Sequence, residues 1–116
     1  MIMKKLFVLI TLFSFNTVNA QWTKHVSGTN NRLNSVFFVG NIGYVVGDSG
    51  TILKTIDKGD SWISQISGTP EVLESVCFIN EDTGYVAGGG GIILKTIDGG
   101  INWISQISGT SLYVLN

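Results

Sequence analysis

The sequence predicts an all-β protein built from two copies of one repeat, and three observations lead to this prediction. The segment at 55–62, TIDKGDSW, recurs at 96–103 as TIDGGINW, so that each copy closes a unit of about 40 residues. The 15 glycines and single proline suit short strands joined by tight turns. After residue 20, no segment keeps the 3.6-residue apolar period of a helix.

The composition is that of a folded chain without a polyanionic partner. Hydrophobic residues make up 44% of the sequence and charged residues 13%, which is typical of a packed core and not of disorder. The net charge is −1 at pH 7, and lysines and arginines do not cluster. We therefore expect no nucleic-acid partner.

Residues 1–20 have the pattern of a cleavable export signal. Lys4 and Lys5 precede an apolar core at 6–15 that is too short to cross a bilayer, and Ala20 ends a small-residue cleavage site. The pattern predicts a secreted or periplasmic protein with no membrane span once the signal is removed. Because Cys77 is the sole cysteine, no disulfide framework is expected, and it is interpreted as a small buried residue of a strand.

The first complete unit spans 33–69 and has four short strands. β-branched and aromatic residues favour the first two strands, and tight turns rich in Gly, Asp and Asn separate all four. The strands are expected at 35–39, 44–47, 51–56 and 61–66. The unit at 70–110 repeats this order with one residue inserted, and the glycines at 88–91 are expected to form a hairpin turn, not a phosphate cradle.

Two further segments resemble incomplete copies of the same unit. Residues 21–32 carry the Trp and Gly-Thr spacing of its ending, which predicts the last strand of a preceding or closing blade. Residues 111–116 resemble the start of a truncated third repeat. Both complete units contain strands that are apolar on both sides, at 36–39 and 92–94, as in sheets packed face to face around an axis.

The fold expected is therefore a partial β-propeller of two complete four-stranded antiparallel blades and one orphan N-terminal strand. Two blades cannot close a ring, and open sheets expose apolar faces. We expect either missing C-terminal blades or self-association of several copies.

The turn pattern Thr-x-Asp-x-Gly-x-x-Trp resembles the Asp-box of bacterial neuraminidase (BNR) repeats. The wider unit runs from Leu-x-Ser-Val-x-Phe through Gly-Tyr-Val to Ile-Leu-Lys-Thr-x-Asp. It resembles the photosystem II stability/assembly factor family, relatives of which are exported bacterial proteins. The resemblance implies a propeller in which this turn is structural, and an exported, non-enzymatic scaffold that binds another protein.

The chemistry of the turn agrees with a structural role. An Asp at this position accepts backbone N–H bonds, a Gly takes the left-handed conformation, a Thr hydroxyl bonds across the hairpin and a Trp packs between sheets. The predicted structural residues are Thr55, Asp57, Gly59, Trp62, Thr96, Asp98, Gly100 and Trp103. Tyr44 and Tyr85, at matching places, are expected to pack at blade edges.

No catalytic, cofactor or metal site is predicted. A sialidase clamps a carboxylate with several arginines, and this sequence has Arg32 alone; His25 is likewise the sole histidine. The acidic residues that remain as glycosidase candidates are interpreted as solvated loop charges. They are Glu71, Glu74, Glu81 and Asp82.

A carbohydrate-binding or sialidase-like propeller fragment is the alternative function. It is favoured if Trp22, Trp62 and Trp103 present exposed, aligned rings, because exposed indoles stack on sugars. An arginine-rich patch is expected in the assembly-factor family, and Arg32 is all that this sequence offers toward it.

Overall fold

The computed structural model describes residues 22–109, and this part of the chain is nearly all strand and turn. Two one-turn 3-10 segments, Asp48–Gly50 and Gly89–Gly91, are the helical elements of the described range. The strands are β1 (Leu33–Val39), β2 (Ile42–Gly47), β3 (Ile52–Thr55), β4 (Ile63–Gln65), β5 (Leu73–Phe78), β6 (Gly84–Gly88), β7 (Ile93–Thr96) and β8 (Ile104–Gln106).

The strands form two four-stranded antiparallel sheets, each in chain order. The first sheet runs β1-β2-β3-β4 and the second β5-β6-β7-β8. The registers match as well, since Tyr44 pairs with Lys54 in the first sheet and Tyr85 with Lys95 in the second. The all-β class and the two four-stranded sheets predicted from the repeat are confirmed.

Both sheets share a bulge near the start of their first strand. In β1 the register shifts between Leu33 and Ser35, and the same shift occurs in β5. Gly47 lies opposite the bulge, and a Cβ there would overlap the carbonyl oxygen of Arg32. Glycine is therefore required by the close approach of two backbones.

The segment before β1 repeats the linker before β5 in its turn geometry. Ser27 Oγ accepts a hydrogen bond from Thr29 N at 3.3 Å, as Ser67 Oγ does from Thr69 N. Residues 22–32 form no strand, and Trp22 is fully exposed. The role of 21–32 as a closing strand stays a prediction, and the predicted signal at 1–20 and third repeat at 111–116 lie outside the described residues.

The hydrophobic core lies between the two sheets. The first sheet contributes one face of β2 and β3, and the second sheet contributes the facing side of β5, β6 and β7. The buried residues are Tyr44, Val46, Ile52, Leu73, Val76, Phe78, Val86 and Leu94. Full burial of such a side chain contributes about 1.5–3 kcal/mol, so this interface holds the two units together.

The expectation for Cys77 is wrong, because its side chain is exposed. Cys77 pairs with Tyr85 across the strands, on the face of the second sheet turned away from the first sheet. Its counterpart Phe37 packs against the core between the sheets. The two positions differ because a sheet covers Phe37 and no described residue covers Cys77. No helix within residues 22–109 has the length and apolar character needed to span a membrane.

Candidate functional site

The first Thr-x-Asp-x-Gly-x-x-Trp turn, residues 55–62, is closed by the Asp57 carboxylate. Asp57 Oδ1 accepts hydrogen bonds from the Thr55 hydroxyl at 2.7 Å and from Ser61 N at 2.9 Å, and Oδ2 accepts one from the Ser61 hydroxyl at 2.6 Å. Thr55 Oγ1 in turn accepts Gly59 N at 2.9 Å. The turn is thus tied across its base by a buried threonine.

The second copy, residues 96–103, has the same connections. Asp98 Oδ1 accepts the Thr96 hydroxyl at 2.8 Å and Asn102 N at 2.9 Å, and Thr96 Oγ1 accepts Gly100 N at 2.8 Å. The Asn102 amide donates to Asp98 Oδ2 where the first copy uses the serine hydroxyl. In both copies the Asp carboxylate accepts a backbone N–H four residues along the chain. The assignment of the eight residues as a structural Asp-box stays a prediction.

These hydrogen bonds stabilise the ionised form of both carboxylates. The Ser61 hydroxyl, the Thr55 hydroxyl and the Ser61 backbone N–H together lower the pKa of Asp57 to about 2. The pKa of Asp98 is also lowered, first by the backbone N–H of Asn102 and then by its side-chain amide and the Thr96 hydroxyl. Both carboxylates are therefore charged acceptors at neutral pH.

The second turn also docks onto the first sheet through the carbonyl of Gly99. This oxygen accepts a hydrogen bond from Tyr44 Oη at 3.0 Å and one from Lys54 Nζ at 2.8 Å. Lys54 Nζ lies 5.5 Å from the centroid of the Tyr44 ring. Burial, followed by the negative charges of Asp82, Glu81 and Asp98, raises the pKa of Tyr44 to about 12. Tyr44, which was expected to pack at a blade edge, is thus also a polar anchor between the sheets, together with Lys54.

The two described tryptophans of the turns pack edge-on against phenylalanines. Trp62 meets Phe38 with ring centroids 6.1 Å apart and Trp103 meets Phe78 at 5.9 Å, both nearly perpendicular. Trp103 Nε1 also donates to Gln65 Oε1 of the first sheet at 3.4 Å. Both indoles are half-buried, whereas Trp22 is fully exposed, so they do not form the exposed row that the carbohydrate alternative needs.

The outer face of the first sheet is open and apolar. We call this side of a blade its leading face. Leu33, Val36 and Phe38 are exposed there by 39%, 57% and 43%. An open cavity of about 320 Å³ lies on it, lined by Leu33, Asn34, Ser35, Val36 and Val45. This face has the exposed apolar character of a binding surface.

The outer face of the second sheet carries Tyr85 and Lys95. It is the opposite side of a blade from the leading face, and we call it the trailing face. Lys95 Nζ lies 5.5 Å from the Tyr85 ring centroid, the same distance as in the Lys54 and Tyr44 pair. Tyr85 is 36% exposed, whereas Tyr44 is fully buried. The same side-chain arrangement is therefore covered in one blade and open in the other.

A third feature is the end of the molecule at which the linkers meet the 3-10 segments. Gly50 N donates to Glu71 O at 2.8 Å, and the Asn34 amide donates to Leu73 O at 2.9 Å and to Asp48 Oδ1 at 3.1 Å. Arg32 is exposed at this end. The bonds of Asn34 and Gln65 between sheets were missed from the sequence; for Gln65, its recurrence as Gln106 in the ISQISGT segment was the available signal.

Among residues 22–109, no group of three His, Cys, Asp or Glu side chains is arranged to hold a metal ion. A scan against protein-family models gives no match, and a search of curated proteins gives none either. Solved structures do match. YCF48 from Cyanidioschyzon merolae superposes with a TM-score of 0.69 and 26% identity over 76% of this chain.

The chain is a pair of β-propeller blades. A second solved structure, YCF48 bound to D1 peptide, matches with a TM-score of 0.68 and 26% identity over 79% of the chain. YCF48 is a photosystem II assembly factor with a propeller fold. The present chain spans about 30% of the length of these neighbours. The predicted propeller architecture is confirmed by this similarity and by the two stacked antiparallel sheets.

Proposed function

We propose that this chain is part of an exported, non-enzymatic propeller that binds another protein during assembly of a larger complex, as photosystem II assembly factors do. The observation that carries the proposal is the match to a propeller solved with a bound peptide. The export rests on the signal-like pattern at 1–20. The eight residues of the two turns have a structural role in this proposal, because the Thr and Asp side chains form their hydrogen bonds within their own turns.

Arg32 is the residue in this chain best suited to contact an acidic group of a bound peptide. The residue is exposed, and its backbone carbonyl accepts a hydrogen bond from Asp48 N in the 3-10 segment whose Gly50 N bonds to Glu71 O. A guanidinium binds a carboxylate through two parallel hydrogen bonds, which an ammonium does not. A peptide that runs along the linker end would therefore be oriented by Arg32.

The proposal is tested by binding of a fluorescently labelled D1 peptide, with a scrambled peptide of the same composition as control. We expect saturable binding of the native peptide and none of the scrambled one. Arg32→Gln is expected to weaken binding roughly tenfold, the effect of losing a hydrogen bond to a charged group. The matched control is Lys24→Gln, which removes one positive charge from an exposed residue and is expected to leave binding unchanged.

A glycan array distinguishes the alternative function. Binding of a sugar together with loss of that binding in Trp22→Ala would support a carbohydrate-binding propeller and contradict the proposal. Failure to bind the D1 peptide, with no protein of the envelope fraction retained on the immobilised chain, would also contradict it.

A further inference from the structure

Matching positions of the two blades differ sharply in burial on the leading side. Leu73, Val76 and Phe78 of the second blade are 0%, 5% and 6% exposed. Their counterparts in the first blade are exposed by 39–57%, although the residue types are identical. The difference arises because the first sheet covers the second, and none of the described residues covers the first.

The contact between the two blades shows which side chains cover a leading face. The Tyr44 ring stacks on Phe78 with centroids 3.8 Å apart and planes at 13°. Tyr44 Oη and Lys54 Nζ donate to the Gly99 carbonyl, and the Gln65 side chain meets Trp103. Three side chains of a trailing face therefore bind one phenylalanine, one carbonyl and one tryptophan of a leading face.

The trailing face of the second blade has the same three side chains. Tyr85 and Lys95 pair across β6 and β7 as Tyr44 and Lys54 do across β2 and β3. Gln106 pairs with Ile93, just as Gln65 pairs with Ile52. The tyrosine ring, the lysine ammonium and the glutamine side chain that contact the second blade are therefore repeated on the open side, whereas Asn34, which donates to Leu73 O, has Glu74 at the matching position.

The leading face of the first blade carries the three matching groups, which are a phenylalanine ring, a turn carbonyl and a tryptophan. Phe38 stands where Phe78 does and meets Trp62 in the same edge-on geometry. Gly59 has the left-handed conformation of Gly100, with φ of 94° and 88° respectively. Beside Gly100, the Gln65 side chain occupies the space that a Cβ would fill, and Gly59 leaves the same space open. The carbonyl of Lys58, at the position of Gly99, completes the set.

We propose that a second copy of this chain docks head to tail, the trailing face of one copy covering the leading face of the next. Tyr85 then stacks on Phe38 of the next copy, and Lys95 Nζ donates to the carbonyl of its Lys58. Such a heterologous interface closes into a ring when its rotation allows. Since the chain spans about 30% of the YCF48 chain, about three copies complete a ring of that size.

Lys58 stands where the template has Gly99, and this difference supplies a test. A Cβ at Gly99 would lie 3.2 Å from Lys54 Nζ, so the Lys58 side chain must turn away from Lys95 of the neighbouring copy. The Lys58 side chain thus adds bulk and a positive charge on the side where Lys95 approaches, and like charges repel. Lys58→Gly restores the template, and we expect it to lower the dissociation constant of the assembly several-fold.

The experiment is sedimentation velocity of the purified full-length protein over a wide concentration range. We expect the mass to rise with concentration to a multiple of the protomer mass. Val36→Glu blocks the leading face and Tyr85→Glu the trailing face, and each variant alone is expected to stay monomeric. Both positions are exposed in the single chain, and circular dichroism verifies that each variant is folded.

Mixing the two variants gives the decisive result. Each retains one intact face of opposite kind, so an equimolar mixture is expected to form a 1:1 dimer and nothing larger. A wild-type protein that is monomeric at every concentration overturns the proposal. So does an assembly that survives Tyr85→Glu but not Val36→Glu, because that pattern indicates two leading faces in a symmetric dimer. An assembly that neither variant affects also overturns it.

Discussion

The rings of Tyr44 and Phe78 stack with centroids 3.8 Å apart and planes inclined by 13°, and this pair joins the first blade to the second. Tyr44 is fully buried and Phe78 is 6% exposed. Each ring also contacts another part of the interface: Tyr44 bonds to the Gly99 carbonyl and Phe78 meets the edge of Trp103. The pair therefore lies where apolar burial and polar anchoring coincide.

Phe78→Ala is expected to lower the free energy of unfolding by about 3–5 kcal/mol, the usual cost of removing a buried aromatic ring. Phe38→Ala is the matched control, since it removes the same side chain from the same repeat position, where it is 43% exposed. Its cost is expected to be about half as large or less. Urea unfolding at low protein concentration measures both, and equal losses would show that the second blade gains nothing from its cover.

Trp103→Ala tests the packing of the turn against the sheets. Trp103 is half-buried and meets Phe78 and Gln65, so we expect a loss near the lower end of the ~3–5 kcal/mol range for large aromatic residues. Thermal melting of the folded variant gives the value. An unchanged melting temperature would contradict the structural role of this indole.

Gly100→Ala and Gly59→Ala separate local strain from contact between blades. Both positions have positive φ, so each alanine is expected to cost about 1–2 kcal/mol. A Cβ on Gly100 would in addition overlap the Gln65 side chain, while one on Gly59 meets Trp62 at an ordinary 3.5 Å. We expect Gly100→Ala to be the more destabilising by on the order of 1 kcal/mol in chemical unfolding. Equal effects would place Gln65 away from the second turn.

The depressed pKa values of Asp57 and Asp98 predict an acid-sensitive fold. Asp57 titrates near pH 2 in the folded chain and near 3.8 otherwise, so its stabilising effect is present above pH 4 and is lost as the pH falls toward 2. Melting temperatures between pH 6 and 2 measure the loss. Asp57→Asn is expected to be less stable at pH 6 and to show a shallower fall. Parallel curves for variant and wild type would contradict the assigned hydrogen bonds.

The raised pKa of Tyr44 predicts a loss of stability at alkaline pH. Its pKa of about 12 lies above the ordinary value of 10.0, so the neutral phenol stabilises the fold fully below pH 10 and this contribution is lost as the pH rises through 12. Because the chain has three tyrosines, the difference in phenolate absorbance between the wild type and Tyr44→Phe isolates this group. A transition near pH 10 assigned to Tyr44 in the folded protein would contradict its burial.

The sequence repeat was sufficient to predict the sheets, their strand order and the turns, because strand and turn preferences act locally and both copies agree. The repeat did not predict which face of each sheet is covered. Phe38 and Phe78 are the same residue in the same pattern, and only the neighbouring sheet makes one exposed and the other buried. Cys77 was misassigned for the same reason, since the strand pattern does not tell which face has a neighbour.

The bonds between blades were also hidden from the sequence. Gln65 and Trp103 are far apart in the chain, and their contact depends on how the sheets are rotated against each other. Lys54 likewise reaches the Gly99 carbonyl with its ammonium, and it does so because the second turn lies over it. Such contacts follow from packing, which the repeat period alone does not specify.

A double-mutant cycle between Tyr44→Leu and Phe78→Leu tests the face-to-face packing of the two blades most directly. The free energy of unfolding is measured for the wild type, both single variants and the double variant. Stacked rings in contact are expected to give a coupling energy of about 0.5–1.5 kcal/mol. Losses that add to within about 0.3 kcal/mol would mean that the two rings do not touch, and would contradict the packed pair of blades.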